Sequence, residues 1–520
     1  MRTLGFLVLL CLIFGTGYRL WPVFAGMPTL ANFFITEDGY LMLTVARNMA
    51  IGNGMSVSDG TIPTNGVQPL IAFFFAVPYW ITGGDKVTSL IGIHLIHTAT
   101  ALGCVFAIRA LAARMLAPHY AASHWPWVVA LSWFLGPVLL RHSMNGLETS
   151  LITLAAVLTL LIFARVLDGE DGLRNRLWLG VACGLAVLAR NDAVFLVAAI
   201  FLTWAVWDLA VARQSFGRMA ARLVPPGLLS IAVAAPWLLN NLLRFGSIVP
   251  VSGTAQSLDI PLGANLPLLP VKLFETAFPM LPIPGGLETM PLVGAICGAS
   301  IAAVIGIALW RIAAEGTPVT RALALAFFAY AAALSCYYGL LFGAPHFLSR
   351  YLAPTAPFLI LAALIAALET GRLLRLGTVL GWAYTGIGAV LILGLLVRAL
   401  LPGVTLQGHE QVVEWTRENL PEDTWAGAVQ TGTLGYWHDR TLNLDGKVNP
   451  EALTARRMQG SVLDYVVRSK IDVIVDWAGV GIWITQPVEG GTFGDTFDLV
   501  LQDQDRDLSV MVRRIPRGGS

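Results

Sequence analysis

ITEDGYLMLTVARNMAIGNGMSVSDGTIPTNGVQPL, residues 35–70, is a polar interruption between two apolar runs, 4–24 and 67–82. Adjacent carboxylates, Glu37 and Asp38, stand near its start. Leu41, Val45 and Met49 then recur at helical spacing with Arg47 and Asn48 beside them, which predicts an amphipathic helix over about 40–51 that can lie at a membrane surface. Glycines follow, and TNGVQPL (64–70) leads back into apolar sequence. A charged, glycine-rich loop lodged between apolar runs decides the architecture: helices cross a bilayer, and the polar chemistry sits in the loops.

Composition carries the same reading outward. Of 520 residues, 56% are hydrophobic and 12% charged, with a mean hydropathy of +0.70, against roughly 25% charged in soluble domains. That balance excludes a soluble multidomain enzyme, a coiled coil, extensive disorder and a nucleic-acid-binding domain, since each needs more charge. Apolar runs near the spanning length of about 20 residues fall near 4–24, 67–82, 87–108, 121–140, 146–167, 177–190, 193–211, 223–243, 291–310, 320–342, 352–369 and 376–400. The first has Arg2 before it, as a signal peptide would, but no clear cleavage site, and reads as an uncleaved span.

Arginine sets the orientation. Arg174 and Arg176, then Arg213, Arg218 and Arg222, then Arg311 with Arg321, then Arg372 with Arg375 alternate with arginine-poorer loops, which places them in the cytoplasm. Residues 25–66, 141–148, 190–192, 244–290, 343–351 and everything after 401 then lie outside. Arg109 and Arg114 also belong in the cytoplasm, so 67–108 must cross once in total, with one piece re-entrant or flat. The expected fold is a polytopic α-helical membrane protein of about 11 spans over 1–403, with a C-terminal extracytoplasmic α/β domain over 404–520.

That tail holds 17 acids against 11 bases. A helix is predicted over 408–420 and strands over 424–430, 441–445, 471–477, 497–503 and 508–514, with no glycine-rich nucleotide motif. Five scattered cysteines show no metal or disulfide spacing and read as packing residues. Only four bases are lysines: Lys86, Lys272, Lys447 and Lys470.

Ionisable residues in so apolar a body are costly and mark function. The outer loops concentrate them: Glu37 and Asp38; Arg141, His142, Asn145 and Glu148 in RHSMNGLE (141–148); Arg190 and Asp192 in RND (190–192); His346, Arg350 and Tyr351 in HFLSRYLAP (346–354). Each has a bland reading, as helix cap, mutual ion pair or headgroup anchor. Their convergence on one face favours a site that holds a phosphate and deprotonates a hydroxyl.

At these residues the chain resembles the GT-C superfamily, integral-membrane glycosyltransferases that use polyprenyl-phosphate sugars. EDGY (37–40) is similar to the DDGY of mycobacterial arabinosyltransferases, and ARNMAIGNG (46–54) with TNGVQPL to a pattern of arabinofuranosyltransferase-like members. SMNGLETSL (143–151), LARNDA (188–193), RFGSIVP (244–250) and RYLAP (350–354) resemble further elements in family order. Glu37 replaces the usual first aspartate, LARNDA lacks the usual proline, and no lysine follows RFGSIVP before Lys272.

The resemblance implies inverting transfer of a sugar from a polyprenyl-phosphate donor to a hydroxyl of a cell-envelope glycan, lipid or protein, at the outer face of a bacterial inner membrane. Glu37 or Asp38 is the expected base; Arg350, His346, Tyr351 and Arg190 the donor-phosphate ligands; Arg47, Asn65, Gln68, Asn145, Glu148 and Asp192 the other substrate contacts. No bound cofactor or metal is expected, although oligosaccharyltransferase-like relatives use a divalent cation, for which Glu148 and Glu37 are candidates. The partners are membrane lipids, the lipid-linked donor and the acceptor, with no nucleic acid. Two rival readings are a transporter or flippase of a lipid-linked or anionic solute, and a silent receptor whose tail does the work. In the tail, GYWHDR (435–440) and LDGKVN (444–449) are alternative acceptor contacts.

Overall fold

The structure is a computed structural model describing residues 2–258, 260–376 and 409–515, with scattered positions between 379 and 393. The expected span at 376–400 and the expected boundary at 403/404 lie almost wholly outside the described residues.

Among these, eight helices are long and apolar enough to cross a membrane: Gly5–Ala25, Lys86–Met115, Thr149–Leu167, Asn191–Val211, Phe216–Phe245, Pro291–Glu315, Pro318–Leu340 and Pro345–Leu373. Pro69–Ile81 and Trp125–Leu135 are shorter apolar helices. The expected count of about 11 is not established by these residues. Local chemistry sets the ends. Proline stands in the first turn of Pro69–Ile81, Pro291–Glu315 and Pro318–Leu340, where its missing N–H costs nothing. Asp85 and Thr317 accept from the N–H of Thr88 and Thr320 as N-caps. Phe216–Phe245 ends on Gly246 in the left-handed conformation, φ +73°.

Burial ranks the helices. Pro345–Leu373 is the axis, with 89% of its apolar window enclosed, whereas Gly5–Ala25 and Pro291–Glu315 have 17% enclosed and turn apolar side chains outward. Apolar outward faces are what lipid as solvent permits. Pro69–Ile81 has both flanks on the side of the C-terminal domain: Gly66 abuts the carbonyl of Lys447 and Lys86 pairs with Asp439. Both ends of this helix therefore meet the same domain.

The C-terminal domain is α/β. Thr441–Asn443, Ala426–Ala428 and Val473–Asp476 run parallel in that order, and Leu508–Arg513 and Phe497–Asp503 extend the sheet antiparallel. Period-2 alternation splits the strands between two cores: Ile474 and Met511 face one side with Phe493 and Phe497, and Val473, Val475 and Val510 face the other with Val412. Glu410–Asn419, Gly432–Trp437, Pro450–Gln459 and Leu463–Arg468 are the domain's α-helices.

The two parts interlock. Tyr436 of the C-terminal domain is buried in the same cluster as Tyr40, Leu43 and Tyr79, and its hydroxyl meets that of Tyr79 at 2.9 Å. Arg47 and Lys86 both bind Asp439, at 3.3 and 3.0 Å. GYWHDR is therefore a docking segment, which replaces its alternative reading as an acceptor contact.

Candidate active site

A helix forms over Glu37–Ala50, three residues earlier than its apolar spacing suggested, because Thr36 caps it by accepting from the Gly39 N–H at 3.3 Å. It does not lie at a surface as expected, since every residue from Gly39 to Ala46 is buried between the bundle and the C-terminal domain. Thr36 also donates, through its N–H and hydroxyl, to the Asn145 carbonyl at 3.2 and 3.1 Å. The approach depends on two glycines. A Cβ at Gly39 would lie 2.2 Å from that carbonyl, and Gly146 adopts φ +83° with its own Cβ position 2.8 Å from the Gly39 Cα. EDGY is thus pressed against MNGLE, and Asp38 and Glu148 line one cavity.

The paired carboxylates divide their work. Glu37 turns to the C-terminal domain, accepting from the N–H of Gly432 and from the N–H and hydroxyl of Thr433, the latter two at 3.0 and 2.6 Å. Both of its oxygens are spent on docking. Asp38 faces the cavity, where its oxygens meet Arg350 Nη1 at 3.0 Å and Lys447 Nζ at 3.1 Å. Burial opposes its charge, but Lys447 and Arg350 outweigh burial and hold the carboxyl below its ordinary range. Burial likewise opposes the charge on Lys447, and Asp38 with Asp445 overcomes it, raising the ammonium well above an ordinary lysine.

The cavity measures about 410 Å³. Arg350 reaches it from the axial helix segment, donating also to the Tyr351 hydroxyl at 3.2 Å and lying over the Phe347 ring at 4.5 Å. Among the described residues its Nε has no hydrogen-bond partner. Tyr351 stacks on Tyr338 at 4.3 Å between centroids and donates to Gln256 Oε1. Another corner is closed. Arg190 binds Asp192 at 2.6 Å and the carbonyls of Arg350 and Tyr351, and the Tyr338 hydroxyl donates to Asp192 at 2.6 Å. Gln68 accepts from the Asn191 N–H at 3.4 Å. Leu238, Ile248, Val249 and Phe195 make apolar wall.

Of the residues singled out in the sequence, Asp38, Gln68, Glu148, Arg190, Asp192, Arg350 and Tyr351 line the cavity. Glu37, Arg47, Asn65 and Asn145 sit behind it. Arg47 bridges the Gly84 carbonyl and Asp439; Asn65 accepts from the Val251 N–H at 3.0 Å, fixing the RFGSIVP wall; Asn145 braces the turn before Glu148, accepting from Leu147. His346 is exposed on a short turn against Phe347 and is not among the cavity-lining residues. Sequence reasoning missed Lys447, 409 positions from Asp38. Its signal was rarity, one of four lysines, in a segment already marked as polar.

Glu37 and Glu148 do not combine as ligands for a divalent cation. Both Glu37 oxygens are engaged elsewhere, and among the described residues no three His, Cys, Asp or Glu side chains gather in a metal-holding group.

Residues 402–510 match a family described as a domain of unknown function (DUF8728). No match is found among curated proteins. Solved structures do match. ArnT from Cupriavidus metallidurans bound to undecaprenyl phosphate aligns over 98% of this chain and 97% of its own, at TM-score 0.55 and 14% identity. The same protein in the apo state aligns over 98% of both chains, at TM-score 0.57 and 13% identity. An Archaeoglobus fulgidus oligosaccharyltransferase, in complex with Zn and sulfate, aligns over 91% of this chain and 68% of its own, at TM-score 0.55 and 13% identity. At this identity the likeness is one of fold. Over nearly its whole length, the chain shares its fold with ArnT.

Proposed function

We propose that the chain is a glycosyltransferase that moves a sugar from a polyprenyl-phosphate donor to a hydroxyl of a cell-envelope acceptor, with inversion, at the outer face of a bacterial inner membrane. The observation that carries this reading is the Asp38–Arg350–Lys447 cluster on a cavity with apolar wall. Arg350 and Lys447 bind the donor phosphate from two sides, one from the membrane body and one from the outer domain. Asp38 holds the two cations together. Arg350 offers a planar fork to the phosphate oxygens and Lys447 a point charge. In a single displacement the acceptor oxygen attacks the anomeric carbon, the bond to phosphate breaks, and its electron pair leaves on a phosphate oxygen. The two cations stabilise that growing charge where water is scarce. The ArnT neighbour, with undecaprenyl phosphate bound, supports the lipid side of the reading. RFGSIVP and Gln256 wall the sugar subsite, and Arg190–Asp192 braces the Tyr338–Tyr351 stack.

The test is release of polyprenyl phosphate by the purified chain in nanodiscs, followed by mass spectrometry over a panel of polyprenyl-phosphate sugars. Arg350→Ala and Lys447→Ala are each expected to raise the donor KM by about 10- to 100-fold, the usual span for a lost charge-assisted hydrogen bond. No release from any donor, or an unchanged KM in both variants, overturns the proposal.

A further inference from the structure

Asp38, Asp192 and Glu148 all line the cavity, and the first two are engaged. Asp38 holds Arg350 and Lys447, one on each oxygen. Asp192 holds Arg190 on both oxygens and also the Tyr338 hydroxyl. Glu148 differs. It occupies the N-cap position of Thr149–Leu167 without making a cap bond, is only 4% exposed, and among the described residues its carboxylate has neither a hydrogen bond nor an ion pair. Its charge acts on Arg350 and Tyr351 without a bond to either.

A buried carboxylate without a donor is costly unless something outside the protein supplies one. A hydroxyl of an incoming substrate is such a donor. A carboxylate already clasped by two cations is a poor proton acceptor, because protonation forfeits both attractions. Glu148 makes no such bond, and its attraction to Arg350 acts only at a distance. Its placement is deliberate in the fold: Arg19, fully buried in the first helix, binds the hydroxyl of Ser143 and the Phe134 carbonyl. The turn that follows is fixed by Asn145 and by the contact of Gly146 with Gly39. Glu148 therefore enters the cavity from a braced loop.

We infer that Glu148, not Asp38 or Glu37, is the carboxylate that takes the acceptor's proton; the assignment rests on the transferase reading above. As the acceptor O–H bond breaks, its proton passes to a Glu148 oxygen. The acceptor oxygen forms the new bond to the anomeric carbon, and the old carbon–oxygen bond leaves its electrons on the phosphate. Protonated Glu148 returns its proton to water when product leaves. Asp38 is then a positioning residue for the two cations.

The experiment measures kcat and donor KM for the full chain in nanodiscs, with Glu148→Gln, Glu148→Asp and Asp38→Asn. Undecaprenyl phosphate binding by each variant reports an intact donor site. Glu148→Gln is expected to lower kcat by about 10²-fold or more, the usual order for a lost general base, with little change in donor KM. Glu148→Asp keeps part of the rate. Asp38→Asn raises the donor KM instead and lowers kcat less. The assignment is overturned by normal kcat in Glu148→Gln, or by a kcat loss in Asp38→Asn as large as that in Glu148→Gln. If Glu148→Gln fails to bind undecaprenyl phosphate, Glu148→Asp decides: a rate equal to wild type overturns the assignment. A wild-type chain that releases no polyprenyl phosphate from any donor removes the transferase reading, and the assignment with it.

Discussion

The molecule buries charge near both ends of its helix bundle, and the two ends are built differently. At the arginine-rich loops, Arg222 holds Asp208 and Asp171 at 2.6 and 2.8 Å, and Arg311 holds Glu369 at 2.9 Å. Acids there meet arginines, and none of these residues lines the cavity beside Asp38. At the other end, Asp38 and Asp192 are paired just as closely, but around 410 Å³ of space, and Glu148 is left over. Buried charge alone does not mark a site, because ion pairs also tie loops together. Space beside it and an unmatched carboxylate do.

The largest effect that can break this comparison is all or none. If the paired end is cytoplasmic and the cavity end outside, alkaline phosphatase fused at Ser520 is active and the same enzyme fused at Arg218 is inactive. The reverse pattern puts the cavity on the side of the arginines and removes the proposed outer-face reaction.

How far the sequence could be read follows from the range of each interaction. The five strands of the C-terminal domain were legible because alternation is local: IDVIVDW yields Val473–Asp476, with Val473 and Val475 facing away from Ile474. The helix at Glu37–Ala50 was legible from Leu41, Val45 and Met49, but its enclosure was not, because the domain that covers it lies about 400 positions away. Span parity, read from Arg109 and Arg114, called for one re-entrant or flat piece within 67–108 without saying which; Pro69–Ile81 is the shorter helix there. Lys447 was not legible as a site residue, since its pairing with Asp38 joins two parts of the chain that no local pattern connects. Glu37 misled for the same reason. Next to Asp38 in sequence it looked equivalent, yet successive helix positions point about 100° apart, and Glu37 meets Thr433 instead of the cavity.

That divergence gives the next prediction, of intermediate size. Glu37→Gln keeps an acceptor oxygen but sets an amide donor against donors from Gly432 and Thr433. Docking weakens by about 1–3 kcal/mol, the cost of spoiling bonds to a charged, half-buried group. Lys447 rides on the same domain, so the donor KM is expected to rise several-fold while kcat changes little. Donor titration and thermal unfolding in detergent check both. A kcat loss as large as that expected for Glu148→Gln makes Glu37 a participant in the chemistry and erases the division between docking and cavity.

The smallest effect on catalysis belongs to the paired end, and there the effect on stability is large. Asp208 is fully buried, and its Oδ1 accepts from Arg222 at 2.6 Å while its Oδ2 has no partner. Arg222 also lies over the Trp204 ring, at 5.9 Å to the centroid. Arg222→Met preserves length and apolar bulk but strands the Asp208 carboxylate, and removing one partner of a buried pair costs about 3–5 kcal/mol. The midpoint of thermal unfolding should fall accordingly. Adding Asp208→Asn removes the stranded charge and is expected to recover much of the loss, since deleting both partners of a buried pair is far milder than deleting one. Neither variant touches the cavity, so kcat and donor KM per folded molecule should stay at wild-type values. If Arg222→Met instead slows transfer in protein that remains folded, the two ends are coupled through the bundle, and closed pairing no longer separates scaffold from site.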